Sequence, residues 1–371
     1  MGNGEHTLTA TAFDSVQRAL GAEFAEWEGW SWVAGFGDAI REHEAVRRAC
    51  GVWDESPLQK WELRGPDATA VADRWFTNDV RSLQTGQLRY GAFCDDNGAM
   101  LGDGTVFRFG PDRLLAVTAL PSDRELLDAA AAGADVEIEC LTDRMPHLQL
   151  QGPASRDVLQ SLASADVSTL GYYRFLSEPI EVAGLPVTVA RCGYSGELGY
   201  ELHCEPRHAE GLWRALLDTG NVTPYGLNAV ETLRQESGLI FIGYDYFAGQ
   251  TDPYEVGLDR VVKLDKPEFR GRDALRSIAA SPRRRITTLV IEGDEVPDYG
   301  APVTHEGRTA GVVRSPSSSP TLKQVIALAV LDHGLTERGT VVDVELASGA
   351  TASGTVDSYP IYDPDKLRPR A

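Results

Sequence analysis

The 371-residue chain is poor in cysteine, in long apolar runs and in positive charge, and each shortage excludes a class of protein. Its five cysteines are scattered, odd in number and never spaced as Cys-x-x-Cys, so neither a disulfide framework nor a zinc site is expected. No apolar run approaches the ~20 residues that span a bilayer. The 35 Lys and Arg against 55 Asp and Glu give a net charge of -20, which disfavours binding to nucleic acid or to anionic membranes.

The first residues are polar, include Glu5, and lack the basic and apolar regions of a secretory signal. Together with the cysteine usage, this start predicts a cytoplasmic protein. Because 371 residues exceed a single average core, two or three domains are expected.

Apolar spacing predicts a mixed α+β chain with a mainly β C-terminal part. Helices are predicted near 36–50, 122–134, 154–162, 208–218 and 228–239, and strands over 104–118, 136–140 and 180–190. After Pro282 only strands and turns are predicted, with a hairpin loop in the serine-rich segment 315–320.

A glycine-rich segment at 193–202 is the most informative stretch of the chain. It reads Gly-Tyr-Ser-Gly-Glu-Leu-Gly-Tyr-Glu-Leu, and the alternation after Gly199 predicts a strand. A dinucleotide fingerprint is excluded, because a helix and not a strand would follow the third glycine. Tyr194 and Glu201 bracket the turn. A carboxylate accepts two parallel N–H bonds of the kind that an aminopyrimidine ring offers, and an aromatic side chain can stack on that ring.

This segment and several others resemble, in order and spacing, the glycine-cleavage T-protein family. The other segments are 42–54, 63–68, 77–80, 151–153, 226–234, 269–275, 319–322 and 326–329. The resemblance implies a three-domain cloverleaf around a central folate channel. It places a discontinuous folate-binding domain at 1–52 and 143–279, an inserted α+β domain at 53–142, and a C-terminal β-barrel-like domain at 280–371.

The resemblance also implies tetrahydrofolate as the cofactor, with Tyr194 and Glu201 at its pterin. The substrate end departs from the family pattern. T-proteins place two adjacent acids in the turn at 98–105, and here the first is Gly102 and only Asp103 remains. At three other positions this chain also departs from the family pattern, and the residues there are Thr118, Val230 and Pro57.

The cofactor-binding residues are retained and the substrate end is changed. This pattern resembles that of the tetrahydrofolate-dependent demethylases, such as dimethylsulfoniopropionate demethylase. The predicted partner is therefore a small O-, N- or S-methyl donor, and the oligomeric state stays open. Asp103, Tyr90 and Tyr244 are the candidate catalytic residues, since an acid or a phenol near the leaving atom assists transfer. A turn role for Asp103 and plain packing roles for the tyrosines are the alternatives. Aminomethyl transfer and non-catalytic folate binding are the rival functions, and no metal is assigned.

Overall fold

The computed structural model describes residues 7–371, so the polar start with Glu5 lies outside the described residues. As far as residue 54 the chain forms β1 (Thr9–Ala10), α1 (Asp14–Ala19), β2 (Glu23–Trp27), β3 (Trp30–Gly35), α2 (Ala39–Arg48) and β4 (Gly51–Asp54). The next section forms β5 (Gln59–Arg64), α3 (Ala68–Trp75), β6 (Gln87–Cys94), β7 (Met100–Gly110), β8 (Arg113–Thr118), α4 (Asp123–Ala130) and β9 (Glu137–Cys140).

The chain then forms β10 (His147–Gln151), α5 (Ser155–Leu162), β11 (Arg174–Phe175), β12 (Ile180–Val182), β13 (Leu185–Arg191), β14 (Gly199–His203), α6 (Pro206–Asp218), β15 (Thr223–Pro224), α7 (Leu227–Glu236) and α8 (Arg272–Ala280). The last section forms β16 (Arg284–Ile291), β17 (Pro302–His305), β18 (Arg308–Ser319), β19 (Gln324–Asp332), β20 (Val341–Glu345) and β21 (Thr351–Asp357).

One 12-stranded sheet joins the first two thirds of the chain, in the order β15-β4-β10-β14-β13-β11-β6-β7-β8-β5-β9, with β12 attached to β13. β1, β3 and β2 make a separate three-stranded sheet, and β16 to β21 close a six-stranded barrel. The predicted α+β cloverleaf class with a mainly β C-terminal domain is confirmed. The domain boundaries stay a prediction.

The middle of the large sheet buries both faces, and only one of them is apolar. Leu148 and Leu150 of β10 and Leu202 of β14 pack into a core with α5 and α6. Successive strand residues point to opposite faces, so the polar residues of β10 and β14 line the other face. These residues are His147, Gln149, Gln151, Glu201 and His203, and all are buried. A buried polar face needs internal partners, which makes this side of the sheet the place to look for a site.

The predicted helices all occur, but two local predictions are wrong. The serine-rich 315–320 segment is not a loop, because β18 continues to Ser319 and pairs with β19 as far as Gln324. The hydroxyls of Ser315 and Ser319 donate to the buried carboxylates of Asp245 and Glu236, which holds this polar segment inside the protein. Asp103 is likewise not in a turn. It lies within β7, opposite Ala92 of β6.

Within residues 7–371, no helix is both long and apolar enough to cross a membrane. The five cysteines are free thiols, four of them buried.

Candidate active site

Two tyrosines hold the carboxylate of Asp103. The Tyr90 hydroxyl donates to Oδ2 at 2.7 Å, and the Tyr246 hydroxyl donates to Oδ1. Tyr90 lies on β6, two residue pairs along from the pair of Ala92 with Asp103 on β7, while Tyr246 comes from the loop after α7. The structure therefore brings two of the predicted catalytic residues together and adds a third, Tyr246, that the sequence reasoning missed.

The protonation states of this trio follow from its burial. Burial raises the pKa of Asp103, although the hydrogen bonds from Tyr246 and Tyr90 oppose the shift. Burial, aided by the charge of Asp103, raises the pKa values of Tyr90 and Tyr246 well above that of a free phenol. Both phenols thus keep their protons and donate, and Asp103 is a carboxyl group that takes up a proton more readily than usual.

Tyr244, the third candidate, is apart from this trio. Its side chain is 47% exposed, and its ring packs edge-on against Phe241 and Tyr299. Tyr246 takes the place next to Asp103 that the sequence analysis offered to Tyr244. The same Gly-Tyr-Asp-Tyr stretch carries both residues, and sequence alone does not say which of them turns inward.

A buried ion pair fixes the loop that carries Tyr246. Arg234 of α7 lies fully buried and donates to Asp245 Oδ2 at 2.6 Å. Asp245 also accepts from the backbone N–H of Phe241 at 2.8 Å and from Ser315 Oγ at 2.6 Å. Because every oxygen of this carboxylate is paired, the loop between α7 and Tyr246 has little freedom.

The glycine-rich segment forms the turn between β13 and β14, as predicted. A Cβ on Gly199 would stand 2.2 Å from Gln151 Nε2, so a larger residue there would displace the Gln151 side chain. The Tyr194 N–H donates to Gln149 Oε1 at 3.0 Å, and its hydroxyl donates to the Ile240 carbonyl at 2.6 Å. Tyr194 is therefore held at both ends, with its ring partly buried beside the polar face of the sheet.

Glu201 lies on that face, with 9% of its surface exposed. Its nearest basic group is His203 Nε2, at 3.6 Å, which is too long for a good hydrogen bond. No N–H or O–H group of residues 7–371 donates to its carboxylate. On the same face, the Trp53 indole N–H and both ring nitrogens of His203 are buried without partners among the described residues. A buried carboxylate beside unpaired polar groups fits the aminopyrimidine edge of a reduced folate.

A second carboxylate, Glu55, lies on the same face and was also missed. It accepts from Gln149 Nε2 at 2.6 Å and lies 3.0 Å from His147 Nε2. Burial, reinforced by the negative charge of Glu201, raises the pKa of Glu55 well above its ordinary value. Glu55 therefore takes up a proton more readily than an ordinary glutamate. The sequence pattern that could have indicated Glu55 is His-Leu-Gln-Leu-Gln at 147–151, because its alternate polar residues need buried partners.

The two ends of the site lie within electrostatic reach of each other. Burial raises the pKa values of Tyr194 and Tyr173, and the charges of Asp103 and Glu201, respectively, add a minor contribution. Tyr173 in turn contributes to the raised pKa of Tyr90. Asp103 thus lies near enough to Tyr194 for its charge to act on that phenol. Among the described residues no cluster of His, Cys, Asp or Glu has the arrangement of a metal site.

The large mixed sheet followed by a closed six-stranded barrel is the fold of the glycine-cleavage T-proteins. Residues 13–266 match the GCVT N-terminal domain, and residues 284–363 match the glycine cleavage T-protein C-terminal barrel domain. The chain belongs to the glycine-cleavage T-protein family. The family's aminomethyltransferases transfer one-carbon units with folate, and this chain is an enzyme of that general kind.

Relatives and solved structures agree with this assignment. An aminomethyltransferase of Streptomyces avermitilis is 36% identical over 95% of this chain and 97% of that protein. A trimethylamine-oxide aldolase of Ruegeria pomeroyi is 37% identical over 94% of this chain, which corresponds to 46% of that longer protein. The glycine cleavage system aminomethyltransferase T of Bartonella henselae superposes with a TM-score of 0.88, at 25% identity, over 96% of this chain and 99% of that one.

Proposed function

We propose that the protein is a tetrahydrofolate-dependent methyltransferase that takes a methyl group from a small O-, N- or S-methyl donor. The observation that carries the proposal is that the Phe93 ring occupies the space beside Gly102. A Cβ there would stand 2.4 Å from Phe93 Cζ, and Phe93 is 1% exposed. The ring thus fills the position where the family's first acid would begin. Val230, at the changed arginine position, is also buried in an apolar cluster.

In this proposal Glu201 accepts the N–H groups of the pterin, and Tyr194 lies beside its ring. Bound tetrahydrofolate supplies a nucleophilic nitrogen, N5, for the one-carbon unit. Asp103, held by Tyr90 and Tyr246, offers negative charge to a cationic donor or moves a proton at the leaving atom. Such a transfer gains most from holding the reactants in position.

A second candidate is aminomethyl transfer, favoured by relatives of that name that match over nearly the whole chain. Mass spectrometry of the folate product from a panel of donors separates the two functions. 5-Methyl-tetrahydrofolate is expected, and 5,10-methylene-tetrahydrofolate would favour aminomethyl chemistry. Non-catalytic folate binding, the remaining alternative, predicts no product from any donor and gives no role to a buried acid with two phenol donors.

Replacing Asp103 by asparagine is expected to lower turnover about 100-fold or more, because a positioned acid or base contributes about that much. Folate affinity should stay within about 2-fold, because Asp103 is at the substrate end and asparagine keeps the size of the side chain. Steady-state kinetics and calorimetry on the same preparation give both numbers. Equal activity of Asp103→Asn and wild type would return Asp103 to a structural role.

The two neighbouring tyrosines provide a matched pair of variants. Tyr246→Phe removes one hydrogen bond to a charged group and is expected to lower turnover about 10-fold. Tyr244→Phe, on an exposed ring that does not contact Asp103, should leave turnover unchanged within about 2-fold. Activity assays of both variants test the assignment, and the reverse order would restore Tyr244 as the catalytic candidate.

A further inference from the structure

The polar face of the large sheet carries two buried carboxylates, Glu55 and Glu201, that differ in their contacts. Glu55 Oε2 accepts from Gln149 Nε2 at 2.6 Å and lies 3.0 Å from His147 Nε2. In the described part of the chain, no N–H or O–H group donates to Glu201. One acid is therefore engaged inside the protein, and the other is available to a ligand.

Gln149 has both acids as neighbours. The strand pairing places it directly opposite Glu201 of β14. Side chains directly opposite each other on antiparallel strands have Cβ atoms about 4.5–5.5 Å apart, a gap that two long side chains bridge easily. The backbone N–H of Glu55 donates to the His147 carbonyl, which places this second acid two residues before Gln149 along β10. The Gln149 amide thus has two acceptors within its range, and it donates to Glu55.

The same amide holds the glycine-rich turn. Gln149 Oε1 accepts from the Tyr194 N–H at 3.0 Å, and the Tyr194 hydroxyl donates to the Ile240 carbonyl at 2.6 Å. An amide that points Nε2 at Glu55 turns Oε1 away from it, and only the oxygen of the amide accepts from an N–H group. Oε2 of Glu55 accepts in either protonation state, as a carboxylate oxygen or as the carbonyl oxygen of the neutral acid. Glu55 therefore fixes the direction of the Gln149 amide, and with it the anchor of Tyr194.

We infer that Glu55 is a positioning residue of the pterin site, which acts through Gln149 and does not itself contact the folate. By holding the Gln149 amide, it leaves the Glu201 carboxylate unpaired for the pterin and keeps Tyr194 in place beside the ring. The inference rests on the proposed function for the identity of the ligand. The amide orientation on which it depends is a property of the free protein.

Without an acid at position 55, the Gln149 amide is expected to turn to Glu201. That carboxylate is then paired inside the protein, and the Tyr194 N–H loses its acceptor. Glu55→Met, which keeps the length of the side chain, should therefore weaken binding of 5-formyl-tetrahydrofolate about 10-fold or more, because the pterin has to displace a hydrogen bond to a charged group. Calorimetric titration measures the change.

Hydrogen exchange of the Tyr194 amide tests the anchor without any folate, by nuclear magnetic resonance on protein labelled with isotopic nitrogen in tyrosine. The Glu55→Met variant should exchange this proton about 10-fold faster or more than wild type, because the hydrogen bond to Gln149 is lost. Gln59→Met is the matched control. It also replaces a buried polar side chain, which is bonded to the Pro57 carbonyl and to Thr142 and not to Gln149. It should leave both the exchange rate and the folate affinity unchanged.

A second substitution separates positioning from simple damage to the sheet. Gln149→Met, combined with Glu55→Met, removes the amide that competes for Glu201. The double variant is expected to bind 5-formyl-tetrahydrofolate more tightly than Glu55→Met alone, although Tyr194 stays unanchored. Simple damage predicts the opposite order, because a second buried hydrogen-bonding group is lost. If Glu55→Met does not fold, Glu55→Asp shortens the reach to Gln149 and should shift affinity and exchange in the same directions.

Three results would overturn the inference. They are wild-type affinity and exchange in Glu55→Met, a double variant that binds no more tightly than the single one, and a loss of affinity with unchanged exchange at Tyr194. The last result would mean that Glu55 acts on the folate directly. A failure of wild type to bind 5-formyl-tetrahydrofolate would instead contradict the proposed function, while the exchange rates would still test the link from Glu55 through Gln149 to Tyr194.

Discussion

Replacing Glu201 by glutamine is expected to weaken tetrahydrofolate binding roughly 100-fold or more, with no loss of thermal stability. The affinity falls because a buried, charge-assisted pair with the pterin is replaced by an amide that presents an N–H group where an acceptor is needed. Stability should hold or rise, because no N–H or O–H group of the described residues donates to this buried carboxylate. Calorimetry with 5-formyl-tetrahydrofolate and a melting curve measure the two effects.

Glu205→Gln is the matched control, since Glu205 is exposed and pairs only with Arg207 just beyond β14. It should change neither folate affinity nor the melting temperature. The combination expected for Glu201, lost affinity in a protein that is at least as stable, is typical of a residue kept for binding. Unchanged tetrahydrofolate affinity in a folded Glu201→Gln variant would contradict the assignment of Glu201 to the pterin.

Much of the fold could be predicted from periodicity and from motif order, because these depend on local patterns. The helix at 206–218 and the strand after Gly199 occur where expected. The short helix α1 was not predicted, because six residues give too few turns for a periodic signal, and the helix α3 was not predicted either. The serine-rich strand β18 was misjudged because its hydroxyls are paired by Asp245 and Glu236, which are far away in sequence.

The site was predicted only in part, for a related reason. Asp103, Tyr90, Tyr194 and Glu201 stand in motifs, and the structure brings Asp103 and Tyr90 into contact and anchors Tyr194 to Gln149 of β10. Glu55 lies within a compared segment but was not singled out, because its importance depends on a strand pairing that brings β4 beside β10. Tyr246 depends on the Arg234–Asp245 ion pair, which orients its loop. Such residues can be identified as site residues only when the strand pairing and the ion pairs between distant parts of the sequence are known.

Gly102→Asp, which restores the family's first acid, is expected to destabilise the protein without creating glycine-cleavage activity. Phe93 is wedged between Trp75 and Phe76, at ring-centre distances of 4.6 and 5.7 Å, so it has no room to move away from a new Cβ. Overpacking of this kind costs about 1–3 kcal/mol, and a buried, unpaired carboxylate adds to that cost. Thermal unfolding and an assay with lipoyl carrier protein and ammonia measure the two outcomes.

Gly110→Asp is the control on the same strand, because a Cβ there meets nothing within 4 Å. It should unfold close to the wild-type temperature. Gly102→Asp combined with Phe93→Leu should recover part of the lost stability, since the smaller side chain yields to the new Cβ and the two sites are coupled. The double variant should still lack aminomethyl transfer, because Val230 leaves the pocket without its second charged group. Efficient aminomethyl transfer by wild type or by either variant would instead show that the missing acid does not decide the donor.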